Sequence, residues 1–158
     1  MARIIDDNND NNLNILKSEL LNRINEAKRD SNQIRLFVEL LGRILTKTTE
    51  RHLTNQHIGY VTTRLLDSQE KTMIGTGEGK SAAQMLLIAA EALLDKYNDT
   101  HFSHTAVIQR NLEDFQKFFE NVGLKPELKS TSQGATLTVT SADNTLVRQV
   151  QTHGRLGR

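Results

Sequence analysis

The sequence predicts an α/β chain, with N-terminal helices followed by a parallel sheet and flanking helices around a phosphate-binding loop. Three observations carry that expectation. Apolar residues recur at three- and four-residue spacing from Leu13 to Leu66. A glycine-rich stretch, "TMIGTGEGKS", then runs straight into an alanine-rich helical pattern. Beyond it, strand-like and helix-like segments alternate, the order of a parallel α/β sheet.

Residues 1–12 contain "DDNNDNN", acidic and amide-rich with nothing to bury, and are expected to be a disordered lead-in. Residues 13–66 form a helical N-terminal segment. Leu13, Leu16, Leu20, Ile24 and Ala27 make the first amphipathic stripe. "RDSN" breaks it, and Asp30 or Ser31 caps the next helix. Its stripe is Ile34, Phe37, Val38, Leu41, Ile44 and Leu45. "TNQHIGYVTTRLL" is a third helix, capped at Thr54 or Asn55.

Residues 67–158 read as a truncated nucleotide-binding domain. "EKTMI" is a short strand, and a helix runs from Lys80 to about Tyr97 with Ala82, Met85, Leu86, Ala89, Ala90, Leu93 and Leu94 inward. "SHTAVIQ" is a strand candidate. "NLEDFQKFFENVG" is a helix stopped by Gly123. "LKPEL" begins an extended segment, "GATLTVTS" alternates as a strand, and "NTLVRQVQTHGRLGR" starts as a helix.

The bulk numbers narrow the function. With 20 basic against 19 acidic residues, no global field recruits nucleic acid or an anionic membrane. An aromatic content of 4% leaves little for stacking bases. The absence of cysteine removes disulfide frameworks and thiolate metal sites. "MARIIDDNND" has no apolar core of a signal peptide, and Glu91 interrupts the longest apolar run, so neither a leader nor a membrane span is expected. A cytoplasmic protein is the expectation.

A phosphate loop needs glycines because backbone N–H groups must point inward at an anion, where a Cβ would obstruct them. It needs a helix directly after it, whose free N–H groups and partial positive charge face the phosphates. Lys serves as a mobile cation, and Ser or Thr binds Mg²⁺. Gly77, Gly79, Lys80 and Ser81 meet these demands; Ile74 stands where G-x-x-x-x-G-K-[ST] has its first glycine. The competing reading is a glycine-rich turn before an ordinary alanine-rich helix.

"TGEGKS", from Thr76 to Ser81, resembles the loop of the SecA family, the ATPase motors of bacterial protein export, which reads T-G-E-G-K-T without the leading glycine. "HTAVIQRNLEDFQKFFENVGLKPEL" is similar to the strand, turn and helix that follow in that family. "NQHIGYV" resembles its adenine-reading segment, with Gln56 and Gly59 in matching places. "QVQTHGRLGR" is similar to a helicase motif whose arginines, here Arg155 and Arg158, reach a γ-phosphate; a chance match of a basic tail competes with that reading. The resemblance covers roughly residues 34–130. It implies an incomplete RecA-like P-loop parallel sheet. The nucleotide site would be Gln56, Thr76, Gly77, Glu78, Gly79, Lys80 and Ser81, with ATP or ADP bound and Mg²⁺ on Ser81.

Hydrolysis in that superfamily needs an Asp-Glu pair to place Mg²⁺ and orient water. No Asp-Glu dipeptide occurs in this chain, and Asp143 is the nearest substitute for the Mg²⁺-side carboxylate. The expected function is therefore an ATP- or ADP-binding module linked to protein translocation, its hydrolysis weak, absent or dependent on a partner protein that supplies the missing half. No catalytic residue is assigned. The alternative is a non-catalytic interaction module on a degenerate SecA-like scaffold. "GEGKSAAQ" also resembles a turn of double-stranded-RNA-binding domains, but Lys80 stands alone where several lysines grip phosphates, so a nucleic-acid partner is not expected. His52/His57 and His101/His104 lack an adjacent carboxylate cluster and are read as surface or loop histidines rather than metal ligands.

Overall fold

The protein is described from a computed structural model covering residues 2–66, 80–95, 97–102 and 104–141. Helices α1 (Ala2–Arg29), α2 (Ile34–Thr49), α3 (Asn55–Leu66) and α4 (Lys80–Asp95) precede strand β1 (Tyr97–Phe102). Helix α5 (Thr105–Asn121) and strands β2 (Leu124–Thr131) and β3 (Gly134–Ser141) complete the order.

The helical half follows its stripes. Leu20, Ile24 and Ala27 of α1 are buried, as are Ile34, Phe37, Val38, Leu41, Ile44 and Leu45 of α2. A single 3₁₀ turn at Ser31–Gln33 separates the two helices, and Asp30 caps it by accepting from Asn32 N–H at 3.0 Å. Helix α1 begins at Ala2, so its backbone runs through the segment expected to be a disordered lead-in.

Helix α4 is the centre of the molecule. From Ala82 to Leu93 only Gln84 and Glu91 retain substantial exposure. A helix apolar on all sides must be wrapped on all sides. Helices α1, α2 and α3 cover part of it, and β1 and β3 pack against another part. Residues on both sides of the 66/67 boundary thus share one hydrophobic core.

The sheet corrects the expected topology. It is three-stranded and antiparallel, in the order β1-β3-β2, and not a parallel RecA-like sheet. The reason lies in the β2–β3 connection. Thr131 pairs with Gly134, leaving only Ser132 and Gln133 as the turn. Two residues can close an antiparallel hairpin, whereas a parallel crossover needs a dozen or more. Gly134 takes φ 136°, a region closed to most side chains. Since β1 and β2 both run antiparallel to β3, they are parallel to each other, with α5 as their crossover and β3 inserted between them.

A second correction concerns residues 103–109, expected as a strand. Helix α5 already begins at Thr105, and the strand is the preceding "YNDTHF". The apolar pair in "TAVIQ" divides as a helical face divides it, with Ile108 buried and Val107 57% exposed. Ile108, Phe115, Phe118 and Phe119 form the buried stripe of α5, the last two with ring centroids 5.6 Å apart. Gly123 ends the helix at φ 73°, the left-handed turn that a C-terminal glycine supplies. On β3, Ala135, Leu137 and Val139 face the helices, and Thr136, Thr138 and Thr140 alternate outward. Of the remaining expected elements, "EKTMI" and the segment from Asn144 onward lie outside the described residues.

One charged side chain is nearly dry. Lys17 on α1 is 4% exposed and donates from Nζ to Asn121 Oδ1 at 3.5 Å. Burial lowers its pKa from the ordinary 10.5. Asn121 in turn donates to the Lys117 carbonyl, so a cation from α1 serves the C-terminal turn of α5, which has no basic residue of its own. Among the described residues no helix is long and apolar enough to cross a membrane.

Candidate functional site

Lys80 is the first described residue of helix α4. Ser81 follows, half-buried. Gln56 occupies the second position of α3 and is exposed. Thr76, Gly77, Glu78 and Gly79 lie outside the described residues, as do Asp143, Arg155 and Arg158.

Two proximities relate α3 to α4. A Cβ on Gly42 of α2 would lie 3.1 Å from Ile58 Cδ1 and 3.9 Å from Leu86 Cδ2, which brings Ile58 and Leu86 to one spot. Six residues further along α3, Arg64 acts electrostatically on Glu91, five residues further along α4. The paired positions ascend together, so the helices run in the same general sense and do not form an antiparallel hairpin. Their first turns, carrying Gln56 and Ser81, therefore point toward the same end of the core. No described hydrogen bond joins the two side chains.

The start of α3 is held by a reciprocal pair. Thr54 N–H donates to His57 Nδ1 at 3.1 Å, and His57 N–H donates to Thr54 Oγ1 at 3.2 Å. This is a capping box with imidazole where Glu or Gln is usual. Because Nδ1 accepts, the neutral ring carries its proton on Nε2. His57 is buried, while His52, His101 and His104 are exposed. Among the described residues no group of three His, Asp or Glu side chains could hold a metal ion. The i,i+3 spacing of Thr54 and His57 is visible in the sequence; what hides the cap is that an acidic or amide residue is usual at its second position.

A second polar cluster sits at the far end of α4. Asn98 Nδ2 of β1 donates to Glu91 Oε2, and Thr100 Oγ1 donates to Asn98 Oδ1 at 2.6 Å. Burial pushes the Glu91 carboxyl above the usual 4.5, and Asp95 adds to that; the Asn98 bond and the Arg64 charge pull the other way. The Asn98–Glu91 bond ties β1 to α4, and Thr100 steadies Asn98 within the strand. Asp99, the other poor strand former in β1, accepts from Thr138 Oγ1 of β3.

Compared with protein-family models, curated proteins and solved structures, the chain matches none.

Proposed function

We propose that the protein is an ATP- or ADP-binding module whose phosphate site is the loop Thr76–Ser81 at the start of α4. The observation that supports this reading most is that the residues directly after the glycines are helical. Lys80 and Ser81 are helical, as such a site requires of the residues that present a lysine to the β- and γ-phosphates and a hydroxyl to Mg²⁺. The shared sense of α3 and α4 is compatible with Gln56 reaching the base from the same end. In this reading Arg155 and Arg158 are candidate contacts to the γ-phosphate, and the protein acts in the cytoplasm.

A translocation motor is not proposed. The sheet is antiparallel, and the chain carries no Asp-Glu pair to orient water, so turnover would be weak, absent or dependent on a partner protein. That antiparallel sheet also favours a second reading, a non-catalytic interaction module, in which the glycine turn serves only to start α4.

Mg-ATP titration separates the two. Micromolar binding that Lys80→Ala abolishes is the expected result. No binding at millimolar Mg-ATP would overturn the nucleotide reading in favour of the second.

A further inference from the structure

We propose that the groove between α1, α2 and the start of α3 binds an amphipathic anion, an acyl chain ending in a carboxylate. The cavity holds about 700 Å³, within the range of small-molecule sites. Its apolar side is formed by Ile15, Leu16, Leu53 and Ile58, and Gly42 lies in its floor. A side chain at position 42 would meet Ile58 and Leu53 at 3.1 and 3.2 Å, so the glycine lets those two apolar side chains pack against α2. Ile15 stands 58% exposed beside it, an apolar surface that a hydrocarbon chain would cover.

Among the described lining residues the charged side chains are Arg43, Lys47 and Glu39. Arg43 and Lys47 are one turn apart on α2, flanked by the Thr46 hydroxyl. The one acid among the described lining residues, Glu39, is already engaged by Arg35 at 3.0 Å. A ligand that suits this lining carries a negative head. From Glu39 to Lys47 the groove follows α2 for eight residues, about 12 Å at 1.5 Å per residue, which favours an extended chain over a compact ring. None of the described lining residues belongs to the loop Thr76–Ser81, so the proposal stands apart from the nucleotide reading.

The chain has no tryptophan, so a single introduced one reports on its own surroundings. Ile15→Trp places the reporter on the groove, and Val107→Trp places it on an exposed site of α5. Dodecanoate below its micelle concentration should shift the emission of the Ile15→Trp protein saturably and leave that of the Val107→Trp protein unchanged. Arg43→Glu in the Ile15→Trp background should weaken the response about tenfold, the loss of one charge-assisted contact. Dodecyltrimethylammonium, with the same chain and the opposite head, should give no saturable shift. Calorimetry on the unsubstituted chain should find one site. Equal responses to both heads, an equal shift in the Val107→Trp protein, indifference to Arg43→Glu, or no binding to the unsubstituted chain would each overturn the assignment.

Discussion

Thr54 and His57 exchange two hydrogen bonds across the first turn of α3, at 3.1 and 3.2 Å. Each side chain satisfies a backbone N–H that the helix leaves without an internal partner. Thr54→Ala should therefore cost about 1 kcal/mol and Thr54→Ser much less. Because the bonds are reciprocal, Thr54→Ala and His57→Ala should cost less together than the sum of their separate effects. Denaturant midpoints of the four proteins in that cycle check it. Strict additivity would mean that the two bonds are independent.

Glu91 gives the fold a pH dependence of definite sign. Burial raises its folded pKa above 4.5, so the native state favours the protonated acid. The stability it contributes is full below pH 4.5 and is lost as pH rises through the folded value. Glu91→Gln keeps an acceptor for Asn98 without the charge. The variant should melt higher than the parent at pH 7, with the difference closing toward pH 4.5. A lower melting temperature at pH 7 would show that attraction to Arg64 outweighs the cost of burial.

Two backbone positions carry residues their conformation does not favour. Glu50 closes α2 at φ 61°, a left-handed conformation, with its N–H donating to the Thr46 carbonyl at 2.8 Å. Glu50→Gly should stabilise by roughly 1 kcal/mol. Gly59 lies inside α3 with open space where a Cβ would stand, so Gly59→Ala should add about 0.5–1 kcal/mol. Gly42→Ala is the contrast. There the same propensity gain is opposed by contacts at 3.1 and 3.2 Å, and the net change should fall below that at Gly59. Thermal melts of the three variants rank them. A larger gain at Gly42 than at Gly59 would mean that Ile58 and Leu53 yield freely.

Much of the helical architecture could be read from local pattern. The stripe from Ile34 to Leu45 marked α2, and the apolar run after Lys80 marked α4, because a 3.6-residue period points at one buried face. Gly123 and Asp30 ended and began elements as their backbone chemistry requires. The strands were harder. "YNDTHF" places Asn and Asp, both depleted in strands, between strand-favouring residues, and it is held where Asn98 bonds Glu91 of α4 and β3 pairs along its length. "TAVIQ" is rich in β-branched residues and still became helix, since Ile108 reaches the core from one face of α5. The two-residue turn before Gly134 already excluded a parallel pairing of β2 and β3, and the alternation of segments masked it. Of the candidate site, the loop residues could be named from glycine, lysine and serine chemistry alone, and the His57 cap and the Glu91 cluster could not.

The sequence by itself therefore determined α2, α3 and α4 as helices, and where α2 and α4 bury their faces. Those properties follow from neighbours within one turn or one hairpin. Tertiary structure alone decided the insertion of β3 between β1 and β2, the shared sense of α3 and α4, and the convergence of Arg43, Ile15 and Ile58 on one groove. Each of those depends on surfaces distant in the chain, and the burial that selects them belongs to the assembled core rather than to any segment.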